Sequence, residues 1–241
     1  MAELVGAVVP AGGSGLRMEG RDKTFAPLLG VPLVAYAVEA LLACPVVACV
    51  VLVLPPRSLG QGEALSRARA WGPRVRVCPG GARRQDSVRL GLEALSAAGG
   101  CDWVVVHDGA RPCLTAELVA AGLQAARETG AAIAAVPLSD TVKEVDQAGM
   151  VVRTPPRAAL RAAQTPQVFR YDLLLEAHRR VTADVTDDAA LVEAIGGRVR
   201  TFLGDPDNIK VTLPADLALA EAVLRRRAQR LGEGPAQRPG R

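Results

Sequence analysis

Four short runs in this chain are apolar through their centres: Leu4–Val9, Val46–Leu54, Asp102–His107 and Ala131–Val136. A strand with one wet face alternates apolar and polar residues, whereas a strand covered on both faces does not. Between these runs lie stretches with apolar residues at helical spacing: Val31–Ala43, Leu59–Ala70, Asp86–Ala97 and Thr115–Thr129. Thr115 is a good N-cap, with Glu117 in the first turn behind it. Arg74–Cys78 alternates charged and apolar residues, as a half-exposed strand does. Such alternation of strands and helices predicts an α/β fold, built on a mostly parallel sheet with helices on both faces.

The pattern breaks after residue 137. Thr141–Val145 and Met150–Thr154 flank the polar turn Asp146-Gln147-Ala148-Gly149, and Pro155-Pro156 follows. This predicts a β-hairpin, and residues 138–158 are expected to form an inserted arm that docks elsewhere. The α/β pattern resumes with Tyr171–Val181, Asp187–Ile195 and the strand Arg198–Leu203, and ends with the helix Pro214–Arg227. Residues 1–230 are therefore expected to be a single domain. The Gly-, Pro-, Gln- and Arg-rich residues 231–241 are expected to be a disordered tail.

Composition narrows the function classes. The 241 residues are 49% hydrophobic and 22% charged, which suits one globular domain with a substantial core. The longest apolar run stops at Pro55-Pro56, far short of the ~20 residues a membrane helix needs. No basic segment precedes an apolar one near the start, so neither a signal peptide nor a membrane partner is expected. The five cysteines include no C-x-x-C pair, which argues against a disulfide framework or a zinc site and suits the cytoplasm. A net charge of +4 leans towards an anionic partner. Aromatics are only 3% and are not interleaved with basic residues, so nucleic acid is not the expected partner.

Two loops carry the chemistry. The first strand runs through Pro10 into Ala11-Gly12-Gly13-Ser14-Gly15-Leu16-Arg17-Met18. Glycines at the carboxyl end of a buried strand let backbone N–H groups converge on an anion. No Gly-Lys-Ser/Thr follows, so this is not a P-loop, and Met18 spoils a dinucleotide fingerprint. Arg17 and the following Lys23 suit a triphosphate. Lysine occurs only at Lys23, Lys143 and Lys210, in a chain with 29 Lys plus Arg. Where arginine is so preferred, a lysine suggests a need for a compact, mobile point charge. In the second loop a buried strand delivers Asp108, in His107-Asp108-Gly109-Ala110-Arg111-Pro112, to the same sheet edge. A carboxylate there holds Mg²⁺ or a ribose hydroxyl, and Arg111 adds an anion clamp. Only His107 and His178 are histidines, and neither is placed as a general base.

Seven motifs occur in the order of the 2-C-methyl-D-erythritol 4-phosphate cytidylyltransferase family, which the chain resembles over roughly residues 4–225. They are Ala7–Met18 with Lys23, Gly80–Val88, Val106–Pro112, Asp140–Lys143, Thr165–Phe169, Val185–Asp188 and Asn208–Thr212. The resemblance implies a Rossmann-like sheet of the nucleotide-diphospho-sugar transferase type. It also implies a reaction of CTP with methylerythritol phosphate, giving CDP-methylerythritol and pyrophosphate in non-mevalonate isoprenoid synthesis, with Mg²⁺ as cofactor. By resemblance, Arg17 and Lys23 stabilise the CTP phosphates, while Arg157 and Lys210 hold the attacking phosphate. Ala11, Gly12, Gly13, Ser14, Gly15, Gly81, Ser87 and Asp108 fall where the family holds CTP. Asp108, Arg111, Thr141, Thr165 and Thr186 fall where it holds methylerythritol phosphate, and Asp108 lies near the metal. The hairpin corresponds to an arm that makes a homodimer and delivers Thr141 and Arg157 into the partner's site. Where the family commonly has Pro-Lys-Gln, this chain has Asp22-Lys23-Thr24. The alternatives are a ribitol 5-phosphate cytidylyltransferase, which shares these motifs, and a catalytically silent nucleotide-binding module.

Overall fold

The computed structural model describes residues 3–12, 23–230 and 232. In chain order its elements are β1 (Val5–Pro10), β2 (Pro27–Leu28), β3 (Val31–Pro32), α1 (Leu33–Leu42), β4 (Val47–Leu54), α2 (Leu59–Ala68), β5 (Val75–Pro79) and α3 (Arg84–Ala97). Then come β6 (Trp103–Val106), α4 (Ala116–Thr129), β7 (Ala131–Pro137), β8 (Glu144–Val145), β9 (Val151–Arg153) and β10 (Arg161–Arg170). The chain continues through α5 (Tyr171–Arg180), α6 (Asp188–Ala194), β11 (Arg200–Leu203) and α7 (Pro214–Arg230).

Seven strands form one sheet in the order β11-β7-β10-β6-β1-β4-β5. All neighbours run parallel except at β10, which is antiparallel to both β6 and β7. The expected mostly parallel α/β sheet is therefore present. The departure is β10 itself, a ten-residue strand with no counterpart in the sequence expectations. Its first half, Arg161–Gln164, lacks an apolar run, and Pro166 carries no N–H for a ladder. The ladder to β7 does skip from Ala163 to Gln167, and Asn208 Nδ2 donates to the Thr165 carbonyl at 2.6 Å instead.

Alternate residues of the central strands feed opposite cores, as the two-residue repeat of a strand requires. Val5, Ala7 and Val9 of β1 face a core with Leu52 and Leu54, covered by Val34 and Val38 of α1 and by Leu118, Val119 and Leu123 of α4. Val8 faces the other, with Val51, Val53, Val104 and Val106, covered by Val88, Leu92 and Leu95 of α3 and Leu174 of α5. Each such valine or leucine contributes about 1.5–3 kcal/mol by leaving water. Gly91 lets α3 lie close to the sheet, since a Cβ there would fall 2.4 Å from Val8 Cγ1. The first turn of α3 is thereby brought over the carboxyl ends of β1 and β6.

Residues after β11 fold back to the same edge. Val211 is fully buried with Leu28, Leu33, Ala220 and Val223, and its N–H donates to the Ala110 carbonyl at 2.8 Å. Lys210 is thus fixed beside the loop after β6. The predicted hairpin forms, with β8 and β9 paired antiparallel and Asp146 Oδ1 accepting the Ala148 and Met150 N–H groups across the turn. It leaves Val145, Met150, Val151 and Val152 exposed.

Candidate active site

The carboxyl edge of the sheet carries two adjoining cavities. One, of about 340 Å³, is lined by Ala11, Gly12, Lys23, Gly81, Arg84 and Ser87, with Asp108 and Lys210. The other, of about 210 Å³, is lined by Arg111, Thr165, Gln167, Thr186 and Asp187, with Arg84, Asp108 and Lys210. Arg84, Asp108 and Lys210 line both and mark the junction.

Asp108 is the centre of a charge cluster. Lys210 Nζ lies 2.7 Å from its Oδ2, Arg84 Nε 3.2 Å from its Oδ1, and Arg111 Nε 4.0 Å from Oδ2. Burial alone would raise this carboxyl's pKa, but Arg84, then Lys210 and Arg111, more than reverse it and keep Asp108 ionised. Arg84 is itself anchored from behind, Nη1 donating to Asp188 Oδ2 at 2.6 Å. Asp188 has no solvent exposure, and the His178 ring sits 3.1 Å from its other oxygen. An arginine in the first turn of a helix opposes the helix dipole. Here two buried carboxylates account for it.

The backbone of Asp108 is fixed as firmly as its side chain. Its N–H donates to Thr165 Oγ1 at 3.1 Å, and the Thr165 hydroxyl lies 3.1 Å from His107 Nδ1. His107 Nε2 lies 3.1 Å from the Arg111 carbonyl, which can only accept. Nε2 therefore carries the proton and Nδ1 accepts from Thr165. Full burial holds the His107 pKa down to about 4, so the ring is neutral. His107 is thus a buried, neutral residue packed just after β6, in keeping with the expectation that it is not placed as a general base. Arg111 Nη1 donates to the Asn208 carbonyl at 2.7 Å, which ties the loop after β6 to the segment before Lys210.

On the other flank, Gly81 N–H donates to Ser87 Oγ at 3.1 Å, so the turn before α3 is held by a side chain of α3. Lys23 Nζ reaches the Val211 carbonyl at 3.3 Å, next to Lys210, and Thr24 Oγ1 donates to the Ala11 carbonyl at 2.9 Å. Lys23 thus lines the cavity although the sequence around it is altered.

The fold gathers Ala11, Gly12, Lys23, Gly81, Ser87, Asp108 and Lys210 around the larger cavity, and Asp108, Arg111, Thr165, Thr186 and Lys210 around the smaller one. Gly13, Ser14, Gly15 and Arg17 lie outside the described residues. Thr141 and Arg157 are exposed and line neither cavity of their own chain, and the Arg157 guanidinium donates to the Ser139 carbonyl. Sequence reasoning gave no role to Arg84 or Asp188. The signal available was Arg83-Arg84 just ahead of the expected helix Asp86–Ala97, since basic residues are disfavoured at a helix start. Among the described residues no three His, Cys, Asp or Glu side chains cluster as a metal cage. A single hard carboxylate beside cation-lined cavities suits Mg²⁺, which takes one or two carboxylates together with substrate phosphates and water.

The 2-C-methyl-D-erythritol 4-phosphate cytidylyltransferase family model matches residues 5–226. An enzyme of that name from Dehalococcoides mccartyi strain CBDB1 is 45% identical over 224 residues, covering 93% of this chain and 97% of the relative. The crystal structure of the Thermus thermophilus enzyme superposes with a TM-score of 0.72 at 35% identity, covering 93% of this chain and all of that one. A 4-diphosphocytidyl-2C-methyl-D-erythritol synthase from Anaerococcus prevotii superposes with a TM-score of 0.82 at 28% identity, over 93% of this chain and 97% of that one.

Proposed function

This chain belongs to the 2-C-methyl-D-erythritol 4-phosphate cytidylyltransferase family, and from that premise we propose how its own residues couple CTP to methylerythritol phosphate. The observation that carries the proposal is the pair of cavities meeting at Asp108, Lys210 and Arg84. CTP takes the larger, with the Gly81 turn and Ser87 against the nucleoside and Lys23 beside the phosphates. The acceptor takes the smaller, its phosphate at the shared edge.

An oxygen of the acceptor phosphate attacks the α-phosphorus of CTP. One P–O bond forms, the bond to the bridging oxygen breaks, and pyrophosphate leaves with that electron pair. The nucleophile is already ionised, so no base is required, in keeping with a neutral His107. The barrier lies in bringing anions together, and fixed cations lower it by positioning and electrostatics. Lys210, held on Asp108, stands where the two phosphates meet. Asp108 is the residue that would hold Mg²⁺, which would shield phosphate charge there. The exposed apolar side chains of the hairpin support its packing against a second copy, carrying Thr141 and Arg157 to that copy's acceptor cavity.

Pyrophosphate release with Mg²⁺ and CTP tests the assignment, with methylerythritol 4-phosphate and ribitol 5-phosphate as separate acceptors. The expected result is strong preference for the first and loss of release on chelation. Preference for ribitol 5-phosphate, or CTP binding without release from either, overturns it.

A further inference from the structure

The acceptor cavity has a direction. Arg84, Asp108 and Lys210 line both cavities, so they form its nucleotide-facing end, whereas Gln167, Thr186 and Asp187 line the acceptor cavity alone. Most of its polar side chains are already used by the protein. Gln164 donates through Nε2 to the Asp205 carbonyl at 3.0 Å and accepts the Asp205 N–H at 3.3 Å. Thr165 is engaged with Asp108 and His107. Gln167 is 1% exposed, and its Nε2 donates to Asp187 Oδ2 at 2.8 Å.

Asp187 is different. It is half-buried and lines the cavity, and among the described residues its carboxylate accepts two hydrogen bonds, from Gln167 Nε2 and from Ala190 N at 3.1 Å. A carboxylate has about four acceptor positions, so about two remain. Its two bonds fix the rotamer, one along the strand β10 and one at the start of α6. A negative group away from the cationic end repels a phosphate and accepts from hydroxyls.

We propose that Asp187, held by Gln167, is a specificity-determining residue that accepts hydrogen bonds from the hydroxyls of the acceptor and excludes its phosphate from that end. An acyclic polyol monophosphate then enters in one direction only, phosphate towards Lys210 and hydroxyls towards Asp187. The inference rests on the cytidylyltransferase reading above. It also explains a buried glutamine on the cavity wall, whose amide orients the carboxylate.

The test is Asp187→Asn. Asparagine caps a helix about as well as aspartate, and the Gln167 amide can turn to meet it, so the fold is kept. Losing a hydrogen bond to a charged group weakens affinity by about 10- to 100-fold. The KM for methylerythritol 4-phosphate is expected to rise by about that factor, with the KM for CTP changed less than about twofold. The wild type should prefer this acceptor over an analogue lacking the hydroxyl farthest from the phosphate, and Asp187→Asn should lose most of that preference. Gln167→Met should shift the acceptor KM in the same direction by less. An unchanged acceptor KM, a parallel rise for CTP, or retained discrimination in Asp187→Asn overturns the inference while leaving the reaction standing. A wild type that releases no pyrophosphate with either acceptor overturns both.

Discussion

Replacing Arg84 by Met tests whether the junction of the two cavities is held by charge. The guanidinium lies 2.6 Å from Asp188 and 3.2 Å from Asp108, and Asp188 is fully buried. Removing one partner of a buried ion pair costs about 3–5 kcal/mol, because the remaining charge stays out of water without compensation. Asp108 retains Lys210 and Arg111, so most of the cost falls on Asp188, whose remaining side-chain partner is the His178 ring. For a domain of this size about 1 kcal/mol moves the melting temperature by ~2–4 °C, so the variant should melt ~6–20 °C lower at pH 7.

The pH dependence separates this account from a simple packing defect. Burial acts to raise both Asp108 and Asp188, and Arg84 is the leading influence that brings each below its ordinary value. In the wild type the stability from these depressed carboxylates is present above the unfolded value of about 3.9, and is lost only as pH falls through the lower folded value. In Arg84→Met the desolvation of Asp188 is no longer countered by Arg84, so its folded pKa moves upward. Protonation then relieves the penalty as pH falls from 7 towards 4.5. The assay is calorimetry of both proteins across that range. The gap in melting temperature should narrow by several degrees. A gap that is small at pH 7, or that stays constant to pH 4.5, refutes the reasoning.

Lys210→Met should lower turnover by about 100- to 1,000-fold, the usual cost of a fixed transition-state donor, while calorimetric titration still shows CTP binding at the Gly81 and Ser87 side. Normal turnover in that variant removes Lys210 from the reaction. Deleting residues 142–153 should give a monomer by light scattering with little activity, since Val145, Met150, Val151 and Val152 are then absent and Thr141 and Arg157 lose their mounting. A deletion variant that stays dimeric refutes the arm assignment. Burial holds His107 down to about 4. The unfolded chain binds a proton near pH 6.5 that the folded chain refuses, so stability should fall by about 3 kcal/mol between pH 6.5 and 4. His107→Gln should flatten that slope in urea titrations, and an unchanged slope would place the proton uptake elsewhere.

How far such a site is legible in sequence depends on which interactions make it. Strands covered on both faces announce themselves, because Val8, Val51 and Val104 have neighbours on opposite faces that are equally apolar, and the parallel core follows from that. Asp108 and Gly12 are legible too, because each follows such a strand. Strand β10 is hidden, since its ladder is broken at Thr165–Pro166 and its opening residues, Arg161-Ala162-Ala163-Gln164, include no large apolar side chain. Arg84 and Asp188 are hidden for a related reason. They lie 104 residues apart and each looks like an ordinary helix-end charge, so only the three-dimensional approach of α3 to α6 shows that they neutralise one another. Lys210 falls between these cases. The scarcity of lysine marks it out, but its 2.7 Å contact with Asp108 depends on Val211 being pinned beneath α7.

The same contrast bears on which substitutions the site tolerates. Gly81, which lines the larger cavity, is constrained locally: a Cβ there would fall 2.4 Å from Asp86 Cβ, inside the turn that opens α3. Residues of the charge cluster are constrained jointly. Asp108 is balanced by three cations from three separate segments, so the loss of any one changes the environment of the other two. Energetic coupling in such a network is large and non-additive. Arg84→Met combined with Lys210→Met should therefore cost less in turnover than the two single losses multiplied, because without Arg84 the Asp108 carboxylate keeps its contact with the lysine but loses the one that fixes it from α3, so the lysine is less well placed. Equality of the double loss with that product would show that the two cations act independently, and that Asp108 does not join them.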